Sequence, residues 1–276
     1  MPVRKGTPAL LSAGTLCAAL LLTACGTPAA PPAPTTTPAP TTTPAPTTTP
    51  AAAPAPADGA RPAPGAPGGA VGDPAAPQSA ARLPGVGPVL HASVPDGTSQ
   101  ALVVIGASAD SSSSTATLYS RDPATGWKVQ AGPWPTHNAL RGWTADHTVG
   151  DLRTPIGVFR LGDAGGRLPD PGALLPYDRD DQFAISGTGF LGEPLEGSFD
   201  HVIAIDYNRV PGRSPLDRER PLGAEKGGGV WIHVDHDGPT QACVTLQRED
   251  LRELLRALDP AREPVVVMGP ATEPAR

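Results

Sequence analysis

Seven short runs rich in β-branched and aromatic residues mark the second two-thirds of the chain: 101–107, 116–119, 127–130, 157–161, 202–206, 230–234 and 264–268. Clusters of Gly, Pro, Asp and Asn separate them, the pattern of short strands joined by turns. In Val230-Trp-Ile-His-Val-Asp235 the side chains alternate faces. Val230, Ile232 and Val234 share a core face; Trp231, His233 and Asp235 share the other. His236-Asp-Gly-Pro239 reads as a turn, and Val244-Thr-Leu246 as a following strand. One helix is expected, from about Arg248 to Leu258, with Leu251, Leu254, Leu255 and Leu258 on one face. Glu249 and Asp250 suit its positive N-terminal end, and Pro260 stops it. The pattern predicts a mainly β domain over 82–270, a sandwich or barrel with one helix packed against it.

The first eighty residues have a different texture. Arg4 and Lys5 precede a mostly apolar run, Ala9 to Leu22, which is too short to span a bilayer. It ends Leu22-Thr-Ala-Cys25, which resembles the lipobox of bacterial lipoproteins. That resemblance implies a signal peptide over 1–24, cleavage before Cys25, and lipid on Cys25. Buried acyl chains contribute about 0.8 kcal/mol per CH₂, so several chains anchor a protein firmly at a membrane surface. Residues 25–81 are dominated by Pro, Ala, Thr and Gly, and PAPTTT occurs three times between 32 and 49. Such a segment cannot offset the entropy of ordering and is read as a disordered tether.

Charge narrows the partners. The net charge is −6 and no Lys/Arg-rich face is evident, which argues against nucleic acid. No Gly-rich phosphate loop is present, and no cofactor is expected.

The chain has three cysteines. Cys17 falls in the leader and Cys25 is the lipidation candidate, so Cys243 is an unpaired thiol in an exported protein. A thiol near the strand histidine His233 is the minimum apparatus for acyl transfer, because the imidazole lowers the thiol pKa or takes its proton. Backbone N–H groups in the turn Thr240-Gln241-Ala242 would hold a developing oxyanion. His233, Asp235, His236 and Cys243 are also zinc-ligand types. Alternation, however, sets His233 and His236 on opposite faces, and no second cysteine completes a site. An inert buried cysteine is the plain alternative.

Gly229-Val-Trp-Ile-His-Val, Pro239-Thr-Gln-Ala-Cys-Val-Thr-Leu, the helix after it, and Val149-Gly-Asp-Leu-Arg-Thr-Pro-Ile-Gly-Val-Phe159 together resemble the L,D-transpeptidase (YkuD-type) catalytic-domain family. The resemblance covers most of 100–270. It implies a β-sandwich that cuts a peptidoglycan stem peptide after its third residue. The acyl group then passes to another amine through a thioester on Cys243, with His233 as base. The family's histidine is held by a backbone carbonyl, so Asp235 is not added to the pair. Tyr207 and Arg209 follow the 202–206 strand where the family has an Asn-Tyr-like segment, which makes them substrate-binding candidates; a surface turn around Asn208 is the alternative. The sequence departs from the family at Ala242 (usually Gly), Gln241 (often His) and Thr245 (often Arg). An L,D-carboxypeptidase or endopeptidase using the same residues, and a lipid-anchored wall-binding module with a degraded site, remain alternatives.

Overall fold

The computed structural model describes residues 80–271. The leader, the Cys25 anchor and nearly all of the tether lie outside the described residues. Among the described residues there are twelve strands. They are β1 Gln100–Gly106, β2 Ser113–Asp122, β3 Gly126–His137, β4 Trp143–Thr144, β5 Thr154–Pro155 and β6 Gly157–Arg160. The second half supplies β7 Ala164–Gly166, β8 Tyr177–Arg179, β9 Val202–Ala204, β10 Trp231–Val234, β11 Val244–Leu246 and β12 Val265–Pro270. Two helices, α1 Pro88–Ala92 and α2 Arg248–Ala257, complete the set of regular elements apart from two single 3₁₀ turns.

Two five-stranded sheets carry the fold, in the orders β3-β2-β1-β12-β6 and β11-β10-β9-β7-β8. One core joins them. Leu102, Val104, Leu118, Val266 and Met268 from the first sheet meet Ile203, Ile232, Val234, Val244 and Leu246 from the second. The molecule is therefore a β-sandwich, as the strand pattern predicts. Strand β1 is buried on both sides, and its alternate residues divide between two cores. Leu102 and Val104 enter the inter-sheet core. Ala101 and Val103 instead pack with Leu83, Val86, Leu90 and Val94 of the N-terminal segment. That segment begins before residue 82, since Ala80 exchanges N–H···O bonds with Trp127 at 2.8 and 2.7 Å.

Helix α2 spans Arg248–Ala257, with Leu258 as its C-cap and Pro260 opening a 3₁₀ turn. Leu251, Leu254, Leu255 and Leu258 are all completely buried. Each contributes about 2 kcal/mol relative to exposure. The helix packs against β10 and β3. Strands β7 and β8 are absent from the sequence-based expectation. Ala164-Gly-Gly166 has no intrinsic strand preference. It is held as a strand by pairing with Ile203 and Val202 of β9.

Candidate active site

The decisive local feature is the pairing of β10 with β11. A strand, a turn and a second strand suggest a hairpin, but these two strands run parallel, with Ile232 opposite Val244 and His233 opposite Thr245. The 235–243 connection carries the chain back to the start of β10. Cys243 therefore lies beside Trp231, one strand across and two residues back from His233. Partners in a parallel pair share a face, so Cys243 and His233 both project away from the core side that Ile232 and Val244 occupy.

The Trp231 N–H donates to Cys243 Sγ at 3.4 Å, and the thiol donates to Gly229 O at 3.7 Å. Burial pushes the Cys243 pKa up to about 11, only partly opposed by the Trp231 N–H. His233 is 4% exposed, and its Nδ1 is 3.0 Å from Val234 O. A carbonyl only accepts, so Nδ1 carries the proton and Nε2 of the neutral ring is the free acceptor. Burial pushes the His233 pKa down to about 4, against a smaller opposite effect of the Val234 carbonyl. At neutral pH the resting pair is thus an uncharged thiol and an uncharged imidazole.

Both residues line one cavity of about 390 Å³. It is lined by the turn 239–243, the Gly227-Gly-Gly229 segment and residues of the 185–199 loop. Phe199 of that loop packs edge-on against Trp231 and His233, with ring centroids 5.0 and 5.3 Å away. Among the described residues, the N–H groups of Gln241, Ala242 and Cys243 have no acceptor. Thr240 differs: its N–H donates to Asn138 O at 3.0 Å and its hydroxyl to Cys243 O at 2.7 Å. Thr240 braces the turn and is not a free oxyanion donor. Ala242 is not among the residues with positive φ, so its Cβ carries no left-handed strain. Thr245 is buried and accepts the His137 N–H at 3.0 Å.

Three sequence-based expectations need correction. His233 and His236 are not on opposite faces: their rings stack at 5.7 Å with 13° between planes. The strand ends at Val234, so strand alternation no longer governs His236. Beyond it, Glu193 of the 185–199 loop sits 3.3 Å from His236 Nδ1. The segment 207–209 is not a surface turn, since Asn208 and Arg209 are both buried. Arg209 pairs with Asp163 at 2.8 Å and with Asp206, and is not among the cavity-lining residues. Tyr207 likewise stands behind the cavity wall, its hydroxyl donating to Lys226 O at 2.9 Å. The Asp235 carboxylate is taken by His137 at 3.0 Å and Gln247 at 3.1 Å, and among the described residues no group of three or more metal-ligating side chains forms.

Sequence reasoning missed His147, Phe199 and Glu193. All three come from loops far along the chain from the thiol and carry no local motif for acyl transfer.

No family model and no curated protein matches the chain. Two solved structures share some of its fold: the helical cell shape determining protein Pgp2 from Campylobacter jejuni and a point mutant of it. For each, the identity is 16%, the TM-score is 0.33 and 63% of this chain is covered. This chain spans 49% of the length of either neighbour. At that distance nothing about this chain's chemistry follows from theirs.

Proposed function

We propose that this chain is a cysteine acyltransferase of the L,D-transpeptidase type, acting on peptidoglycan stem peptides at the outer face of a bacterial membrane, anchored through lipid on Cys25. The supporting observation is that Cys243 and His233 line one cavity together with the 241–243 turn, whose backbone N–H groups have no acceptor among the described residues. Support also comes from the sequence resemblance around Cys243 and around 149–159.

Because both resting groups are uncharged, sulfur attack and proton transfer occur together. Cys243 Sγ bonds to the donor carbonyl carbon as its proton passes to His233 Nε2. The carbonyl oxygen gains charge and is met by the free N–H groups of the 241–243 turn, whose donors need no reorganisation. His233 then returns the proton to the departing amine, and a thioester remains on Cys243. An acceptor amine, or water in the hydrolytic variant, resolves it.

The test is incubation of the purified protein with a synthetic stem tetrapeptide, with and without an acceptor amine, followed by mass analysis. A cross-linked or amine-exchanged product that needs Cys243 is the expected outcome. Hydrolysis alone would reassign the chain to the carboxypeptidase alternative, and no product under any condition would reject the enzyme reading. Cys25→Ala releases the protein from the membrane fraction if lipid holds it there.

A further inference from the structure

The glycines at 227–229 connect the thiol to a second imidazole. At one end, Gly229 O accepts the Cys243 thiol proton. At the other, a Cβ built on Gly227 would lie 2.9 Å from His147 Nε2. All three glycines have positive φ, at 66°, 143° and 67°. An L-residue is disfavoured there. The backbone thus runs bare between the two groups. Asn208 fixes this track from behind, its Nδ2 donating to Gly227 O at 2.6 Å and to Gly223 O at 2.9 Å.

His147 lines the same cavity as Cys243 and His233. Its side chain is 4% exposed and its Nδ1 lies 3.0 Å from Asp151 Oδ1. The carboxylate is off the N–H axis, so Nδ1 is buried without a closed hydrogen bond. Asp151 itself is held by the N–H groups of Thr148 at 3.0 Å and Arg153 at 2.8 Å. The cavity therefore contains two imidazoles in different settings. His233 is backed by a carbonyl and a stacked histidine, whereas His147 is backed by an anchored carboxylate able to balance a proton taken up at Nε2.

We propose that His147 is the acceptor-side base, taking the proton of the amine or water that resolves the Cys243 thioester while His233 serves the sulfur. This rests on the cysteine acyl-transfer reading. The placement supports it: the thiol lies at Gly229 and the His147 Nε2 edge at Gly227, two residues apart along one track, and both side chains line the same cavity.

The nucleophile's lone pair forms the new bond to the thioester carbon, and its proton goes to His147 Nε2. The C–S bond breaks with its electron pair on sulfur. Sulfur is reprotonated through His233, which draws one proton from water, and His147 returns one proton to water. No redox partner is required.

The experiment separates the two half-reactions in the full-length protein. A stem tetrapeptide is mixed with enzyme, and both the Cys243 acyl-enzyme and the released product are followed by mass. In His147→Gln, acylation proceeds at the wild-type rate, acyl-enzyme accumulates, and turnover falls by about 10²- to 10⁴-fold. Asp151→Asn shifts the same partition in the same direction to a smaller extent, and it carries the test should His147→Gln fail to fold. Equal losses of acylation and turnover, or turnover unchanged, would overturn the proposal. Absence of both acyl-enzyme and product with the wild-type protein would instead reject the acyl-transfer reading beneath it.

Discussion

Cys243 Sγ accepts the backbone N–H of Trp231 at 3.4 Å, at the beginning of the strand that carries His233. This contact exists only because β10 and β11 run parallel. It places the half-buried thiol under a backbone donor at the cavity surface, and desolvation pushes its pKa up to about 11, which leaves it protonated at rest.

A protonated thiol has a measurable signature. Alkylation by a small electrophile depends on the thiolate. Followed at the Cys243 peptide, its rate at pH 7.5 is expected to be on the order of 10²-fold below that of an exposed cysteine. It continues to rise beyond pH 9. A plateau near pH 8 would show that the thiol is not shielded as described.

Burying neutral His233 gives a stability slope in acid. The His233 pKa is held down to about 4, from an ordinary 6.5, by burial. Between these values the unfolded chain binds the extra proton, so stability is lost as pH falls from 6.5 towards 4. The loss is roughly 3 kcal/mol in all. Chemical denaturation across this range should show a steeper slope in wild type than in His233→Gln, which keeps the contribution of His201, whose pKa burial also lowers. For Cys243, raised from 9.0 to about 11, the sign reverses, and stability is lost as pH rises through that range.

Arg209 stabilises the fold. It stands between Asp163 and Asp206, all three nearly buried. Burial raises the Asp206 pKa, and Arg209 opposes this. Removing the cation leaves two buried carboxylates facing each other, a change that costs about 3–5 kcal/mol. Arg209→Ala is expected to lower the unfolding midpoint sharply, while the molecules that remain folded acylate at the wild-type rate. A raised KM without a stability change would return Arg209 to the substrate.

Ala242 occupies a position where the family this sequence resembles usually has Gly. With no positive φ to relieve, Ala242→Gly gains nothing in the folded state and adds freedom to the unfolded one. It should destabilise by about 0.4–1 kcal/mol in thermal unfolding. Greater stability together with faster acylation would mean that the turn holds a glycine-type conformation.

The sandwich was legible wherever burial acts through local pattern. Val265-Val-Val-Met268 and the leucines of α2 announce their partners by composition and spacing. The parallel return of β11 was not, because a short 235–243 connection with Gly238-Pro239 looks like a hairpin turn and no local signal fixes strand direction. Asn208 read as a surface turn residue, yet it is buried with φ +46° and its side chain bonds the backbone of 222–227. Polar residues used inside to hold a loop resemble polar residues outside. The thiol and its nearer histidine were visible through their chemistry. His147 and Glu193 reach the cavity only through tertiary folding.

The central claim is that Cys243 is the acylated nucleophile and His233 its base. Intact mass after incubation with a carbapenem, a β-lactam class that acylates the family this sequence resembles, tests it most directly. One adduct is expected on the wild-type protein, mapped to the peptide containing Cys243. No adduct is expected on Cys243→Ser, and adduct formation is slowed by about 10²- to 10⁴-fold on His233→Gln. An adduct that persists in Cys243→Ser, or a His233→Gln protein that acylates at the wild-type rate, would contradict the claim.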